Sequence, residues 1–342
     1  MFTMATIHDV ARLAKVSIAT VSRVMSGADP VNPKTQQRVI EAMEQLNYTP
    51  NGLARNLRSL KTNVIIALVP DIKNPFFSEV IRGIEDGARE AGFNVLVGST
   101  DGDTEKAKEY MALLEESRAD GLILTTAQMD QTFIEDFAAR RPMVLACEYI
   151  AGSEIPCVSI DNESAARKIT KHLLAQGHTR IAHIMGPSNV VLSQARLNGY
   201  KQALREQGVP EDELLVQEGD FSIESGYTVA KKLLSIEQIP TAIFAASDVM
   251  AIGALRAIHE HGLRVPEDIA VAGFDDINMA SYVSPSLTTI HQPRYEIGQR
   301  SVRMLVKLMR AEALDQAQVV LADTMIVRES SAAAMKNTNK SK

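Results

Sequence analysis

Apolar positions recur along this chain in two rhythms. Over the first fifty residues the spacing is helical: Ile7, Val10, Ala11 and Leu13 fall on one stripe, and Val39, Met43 and Leu46 on another. Thr6 followed by Asp9 predicts a capped start for a helix over IHDVARLAK. Ser17 predicts the N-cap of a second short helix, SIATVSRVMSG, ended by Gly27. Asn32-Pro33 predicts the start of a third, with the proline at its first position. From Asn63 onward the rhythm changes. VIIALVPD, FNVLVGST, GLILTT, MVLACE and CVSID are short, continuous apolar runs of the kind that form buried parallel strands, separated by helical patterns such as FFSEVIRGIEDGAREAG. A second series starts near Glu163 and runs through RIAHIMG, LLVQEGDF, TAIFAAS and DIAVAGFDD. Strand-helix alternation of this sort predicts an α/β fold of doubly wound parallel sheets.

Charge sharpens the division. The 342 residues carry a net −6, yet the first 62 hold eight Lys or Arg against four acids. A basic head on an acidic body is the asymmetry expected of a nucleic-acid-binding module joined to something else. At 45% hydrophobic and 23% charged residues the composition is that of a globular protein. The longest apolar run, Val64 to Pro70, is far short of the roughly 20 residues a bilayer span needs. No signal peptide is expected from MFTMATIHDVAR. The two cysteines, Cys147 and Cys157, have no metal-ligand spacing and read as core residues of a reducing cytoplasm. No cofactor or metal is expected.

Two short helices joined by a three-to-four-residue turn make a helix-turn-helix, whose second helix presents its N-terminal side chains to the major groove. The runs ATIHDVARLAKVSIATVSRVMSG and VNPKTQQRVIEAMEQLNYTPNGLARNLRS resemble the DNA-binding head of the LacI/GalR family of bacterial repressors, and the resemblance continues to about Glu329. It is most similar to the nucleoside-responsive and purine/ribose branch. The resemblance implies that Ile18 and Ala19 specify sequence and that Ser17, Thr20, Ser22 and Arg23 contact phosphates or base edges. Thr6, Asn32, Asn51 and Ala54 join the implied contact set. Hydroxyls suit phosphates, arginine suits guanine, and small apolar groups suit thymine methyls. Residues 51–62 resemble the family's hinge helix, with Leu57 at the position that wedges into the minor groove and Arg55 and Arg58 beside it. A segment so short is not a stable isolated helix and suits folding on DNA.

The expected organisation is therefore a three-helix head over 1–50, a hinge over 51–62, a core over 63–329 and a flexible tail over 330–342. The family implies a periplasmic-binding-protein-like core of two subdomains, with crossovers near 162 and 292. Ligands of such sheets bind outside the carboxyl ends of the strands. The loops there bring Asp71, Phe76, Phe77, Glu148, Tyr149, Ser193, Arg196, Phe221, Asp248 and Asp275 to the expected cleft. The resemblance implies effector contacts at Phe76, Phe77, Arg196, Phe221, Asp248 and Asp275. Asp248 could also cap a helix beginning at Val249. Carboxylate and guanidinium together can chelate sugar hydroxyls, while aromatic faces cover a ring. Where purine repressors of the family present an arginine, and nearby a threonine, this chain has Val190 and Leu192, so purine-base recognition is not implied.

No G-x-G-x-x-G opening a βα unit, P-loop, G-x-S-x-G or H-E-x-x-H is present, and the seven histidines are scattered. A nucleoside- or sugar-processing enzyme is thus disfavoured, as is a solute-binding protein of the periplasm. The expectation is a cytoplasmic repressor that binds double-stranded, pseudo-palindromic operator DNA as a homodimer and responds to a ribonucleoside, pentose or other sugar. The tail has no leucine heptads, which points to a dimer and not a tetramer.

Overall fold

The computed structural model describes residues 5–26, 31–48 and 61–332. The chain divides into two compact units, 1–62 and 63–342. In the first, α1 (Ile7–Leu13), α2 (Ile18–Ser26) and α3 (Pro33–Gln45) enclose a small core of Val10, Ala11, Ala14, Val21, Val39 and Ala42. Thr6 and Asp9 form a reciprocal capping box on α1. Ser17 Oγ accepts from the Thr20 amide at 3.1 Å, and Asn32 Oδ1 from the Lys34 amide at 3.0 Å. Gly27, expected to end α2, lies outside the described residues.

The second unit has two lobes, each a parallel sheet between two layers of helices. The first sheet runs β11-β5-β4-β3-β1-β2 and the second β7-β6-β8-β9. Their strands are β1 (Val64–Val69), β2 (Asn94–Ser99), β3 (Gly121–Leu124), β4 (Met143–Ala146), β5 (Cys157–Ile160), β6 (Ile181–Met185), β7 (Val216–Glu218), β8 (Ala242–Ala245), β9 (Ala270–Ala272) and β11 (Gln318–Leu321). The first lobe carries α4 (Phe76–Ala91), α5 (Thr104–Glu115), α6 (Gln131–Arg140) and α11 (Arg294–Met309). The second carries α7 (Asn162–Ala175), α8 (Val191–Glu206), α9 (Ile223–Leu233) and α10 (Asp248–Glu260). Alternate side chains of each strand feed opposite layers. Ile65, Ala67 and Val69 pack with α4, whereas Ile66 and Leu68 pack with α5 and α6. Helices α4 and α11 approach so closely that a Cβ on Gly83 would stand 2.1 Å from the Tyr295 carbonyl oxygen.

Three segments cross between lobes: Asp161 between β5 and α7, Gln292–Pro293 between β10 (Thr289–His291) and α11, and residues 322–323 between β11 and β12 (Thr324–Ile326). The third crossing was not expected, because α11, β10, β11 and β12 were not read from the pattern as elements. β11 is a four-residue edge strand, only half-buried, and its apolar run from Val319 to Leu321 is too short to stand out. It closes the first sheet by pairing with β5, while β12 returns antiparallel to β10. The expected tail also begins too early. Ser330 and Ser331 are 0% and 1% exposed. Ser330 Oγ donates to the Val271 carbonyl at 2.6 Å and accepts from the Thr288 amide at 2.8 Å, while Ser331 Oγ sits 2.8 Å from His172 Nε2. Hydroxyls that satisfy buried backbone groups are part of the core.

His183 on β6 is fully buried, stacked between the rings of Tyr200 and Phe244, with Nδ1 2.9 Å from the Phe244 carbonyl oxygen. Burial depresses its pKa to about 4 from the ordinary 6.5. The unfolded chain therefore binds this proton more readily, so stability is present above pH 6.5 and is lost as pH falls toward 4. Replacing His183 with phenylalanine is expected to reduce the wild-type loss of unfolding free energy between pH 7 and pH 5 by about 2 kcal/mol, read from urea melts at the two pH values.

Candidate functional site: a DNA-contact helix and an acidic cleft

On the head, the N-terminus of α2 presents Ser17 and Ala19, both exposed, with Thr20 half-buried behind Ser17 and its Oγ1 2.9 Å from Ser17 Oγ. Arg23 is exposed one turn further on and Ser22 is half-buried. Ile18 is half-buried against the head core, so part of its side chain supports the helix it was expected to use for base contacts. Thr6 and Asn32 are engaged as helix caps through their side-chain oxygens. Arg38, which the pattern did not single out, donates to the carbonyls of Ala14 and Lys15 and so ties α3 to the turn between α1 and α2. That turn places Lys15 in the left-handed region at φ 52°. Asn51, Ala54, Arg55, Leu57 and Arg58 lie outside the described residues.

In the second unit the strand order of each sheet reverses direction beside its first strand, between β1 and β3 and between β6 and β8. That reversal leaves a crevice at the carboxyl ends. A cavity of about 460 Å³ occupies it. From the first lobe it is lined by Asp71, Phe76 and Phe77 after β1, Thr125 and Gln128 after β3, and Cys147 and Glu148 after β4. From the second come Leu192 and Arg196 on α8, Phe221 after β7 and Asp275 after β9. Phe76 and Phe77 meet edge to face at 5.0 Å between ring centres. Phe221 adopts φ 67° and lays its ring over Gly186, where a Cβ would stand 2.1 Å from the ring, so only glycine permits that placement.

Charge in this cavity is buried and unevenly matched. Arg196, 3% exposed, lies with its guanidinium carbon 3.8 Å from the centre of the Phe274 ring and 3.7 Å, nitrogen to oxygen, from Asp275. It also donates to Asn162 Oδ1 at 3.0 Å and to the Ala246 carbonyl. Burial raises Asp275 to about 6 despite Arg196 and a 2.7 Å hydrogen bond from Gln292. Glu148, 6% exposed, accepts from the Ala127 amide at 2.6 Å, and burial still raises it to about 7. Two carboxylates thus face one guanidinium in a place where water cannot solvate the excess.

Three expected site residues do not line the cavity. Asp248 is 0% exposed and its carboxylate is consumed by Thr289 Oγ1 at 2.6 Å and the Ile277 amide at 2.9 Å. It is the first residue of α10, whose cap is Ser247, and not the cap of a helix starting at Val249. Tyr149 packs, half-buried, on the far-side core of the first sheet. Ser193 is fully buried beside Leu192, its Oγ without a protein partner among the described residues. Conversely, Lys73, Asn74, Thr125, Gln128 and Asp220 line the cavity and were not expected. Thr125 and Gln128 follow β3, and applying the strand-end rule to that strand would have found them.

A parallel-sheet cleft of this kind, in a chain that begins with a capped helix-turn-helix, defines a ligand-responsive DNA-binding regulator. The chain belongs to the LacI family. Residues 6–51 match the model for bacterial regulatory proteins of the lacI family, and residues 170–331 match a periplasmic binding protein-like domain. It is 40% identical over 332 residues to the HTH-type transcriptional repressor CytR of Escherichia coli (strain K12), covering 97% of each chain. It is 39% identical to the ribose operon repressor of Halalkalibacterium halodurans, over 95% of this chain and 97% of that one. Among solved structures, the lac repressor dimer bound to operator and the anti-inducer ONPF superimposes with a TM-score of 0.87 at 32% identity, over 96% of this chain and 99% of that chain. The protein is thus a LacI-type transcriptional repressor, with a DNA-binding head and an effector-binding core.

The raised Glu148 gives a testable sign. Its folded-state pKa lies above that of the unfolded chain, so ionising it in place costs stability that grows as pH rises from 4.5 through about 7. Glu148→Gln is expected to raise the melting temperature at pH 8 and to change it little at pH 4.5. Thermal denaturation of both proteins at the two pH values checks this.

Proposed function

We propose that this repressor binds an unphosphorylated sugar or ribonucleoside in the cleft between its lobes and that occupancy changes its affinity for operator DNA. The observation that carries the reading is the buried Arg196–Asp275 pair with Glu148 beside it, under the rings of Phe76, Phe77 and Phe221. Carboxylates accept from ligand hydroxyls and the guanidinium donates to them, while the rings cover an apolar ring face. The surplus of buried carboxylate disfavours a phosphate ester at the cavity floor, where the one cation among the described residues is Arg196; Lys73, the other cation lining the cavity, is exposed. Two relatives point the same way. One is named as the ribose operon repressor, and a LacI family regulator from Enterococcus faecium with bound ribose matches at a TM-score of 0.71 and 32% identity, over 79% of this chain and 98% of that chain.

On this reading residues 1–50 read DNA through Ser17, Ile18, Ala19, Thr20, Ser22 and Arg23, residues 51–62 serve as a hinge, and two chains bind one pseudo-palindromic operator. One helix-turn-helix buries little DNA, and two-fold symmetry matches two half-sites. The protein acts in the cytoplasm, as a regulator and not as an enzyme; the relatives named above are regulators.

A labelled duplex from the region upstream of its own gene should bind the protein, with an affinity that falls steeply as salt rises. Cytidine or D-ribose should shift that affinity and raise the melting temperature, whereas cytidine 5′-monophosphate and ribose 5-phosphate should do neither. Failure to bind the duplex, or equal response to the phosphate esters, would count against the reading. Arg196→Ala removes a charge-assisted hydrogen bond worth roughly 1.5–3 kcal/mol, so effector affinity should drop about ten- to a hundredfold by calorimetry.

A further inference from the structure

The Arg196–Asp275 pair is gripped from both ends by amide side chains at the crossings between lobes. Asn162 is the first residue of α7, separated from the end of β5 by Asp161 alone. Its Oδ1 accepts from Arg196 Nε at 3.0 Å, and its Nδ2 donates to the Ile160 carbonyl at 3.3 Å, so it bridges the cleft guanidinium to the end of β5. Gln292 lies in the second crossing, between β10 and α11, and its Nε2 donates to Asp275 Oδ1 at 2.7 Å. Both amides are buried, 3% and 2% exposed, and neither lines the cavity. The backbone reinforces the second link: the Asp275 amide donates to the Ile290 carbonyl at 2.9 Å, and Arg294 donates to the Asp276 carbonyl at 2.7 Å. At the third crossing the pairing is with an exposed lysine instead: Asp323 pairs with Lys168 of α7 at 2.8 Å.

We propose that Asn162 and Gln292 are positioning residues that transmit cleft occupancy to the two crossings, and thereby set how strongly an effector changes operator affinity. This inference rests on the reading of Arg196 and Asp275 as the effector's grip. A ligand hydroxyl that bonds to either group competes for the same donors and lone pairs that now face the amides. A buried amide that loses its partner must find another or move. The crossings are one and two residues long and are bounded by strands and helices, so a shift of either amide is carried by backbone that joins two rigid lobes. Coupling of this kind needs an element with two arrangements that both sites bias, and the crossings are the backbone shared by cleft and lobes.

The two isosteric acid substitutions separate this from a merely structural polar network, because each cuts one link to a crossing. Asn162→Asp keeps the acceptor for Arg196 but deletes the donor to the Ile160 carbonyl, so the grip stays and the link to β5 is lost. Gln292→Glu deletes the donor to Asp275 and sets two carboxylates against each other. The experiment measures cytidine and D-ribose affinity by calorimetry, and operator affinity with and without each compound by fluorescence anisotropy. It compares wild type, Asn162→Asp, Asn162→Leu and Gln292→Glu, with melting temperatures confirming that each is folded. The expected result is that Asn162→Asp, Asn162→Leu and Gln292→Glu all still bind the compound but lose about fivefold or more of the wild-type ratio of operator affinities. Unchanged ratios in Asn162→Asp and Gln292→Glu would overturn the inference. So would a loss of the ratio fully explained by weaker compound binding, which would make these residues part of the grip itself. A wild-type protein that responds to neither compound would sink the effector reading, and the inference with it, and is distinguished from the other outcomes by the wild-type control alone.

Discussion

Burying a guanidinium costs several kcal/mol unless its donors are met, and much of the second unit is arranged around meeting those of Arg196. Its position on α8 turns the side chain away from solvent into the crevice, where Phe274 covers its face, Asn162 and Ala246 accept from its N–H groups, and the Asp275 carboxylate stands 3.7 Å away as its counter-charge. Each partner comes from a different element: the start of α7, the end of β8 and the loop after β9. Satisfying one side chain therefore fixes three chain segments relative to one another. Asp275 is held in turn by Gln292, so the network extends to the crossing that leads back into the first lobe.

The same constraint explains why the cleft is acidic. Strand ends at a switch point present backbone amides and short polar side chains, and a buried cation there attracts carboxylates. Glu148 and Asp275 answer one positive charge with two negative ones, and burial pushes both upward from the usual carboxylate range. The imbalance is tolerable because Glu148 accepts a backbone amide and both groups lie close to neutrality in pH. It leaves hydrogen-bonding capacity for a neutral, hydroxyl-bearing partner and none for a second anion. Asp248 shows the contrasting outcome. Placed one strand away, it meets Thr289 and the Ile277 amide, and its oxygens tie α10 to β10 and to the loop after β9 instead of serving a ligand.

Much of this was legible in residue order. The capping signals Thr6–Asp9, Ser17 and Asn32-Pro33 mark the head helices because helix ends have unsatisfied amides that only a few side chains can meet. Short apolar runs mark most of β1 to β9 because buried parallel strands carry little polar surface, although β7 itself is Val-Gln-Glu and β9 has three residues. The strand-end rule then found Asp71, Phe76, Phe77, Glu148, Arg196, Phe221 and Asp275 around one cavity. It also drew in Tyr149 and Asp248, since adjacency to a strand end does not say which side of the sheet a side chain takes.

What the sequence alone determined was the set of local elements, the basic head, the class of the core and most of the residues at its crevice, because those follow from periodicity, capping and charge within short windows. Tertiary structure decided the rest. β11 and β12 are only four and three residues long and half-exposed, too short to announce themselves, and they form by pairing with β5 and β10. Ser330 and Ser331 look like a polar tail and become core because unmet backbone groups of β9 and Thr288 lie where the chain returns. Asn162 and Gln292 are ordinary amides in sequence. Their significance comes from partners 34 and 17 residues away, and only folding brings those charges to them.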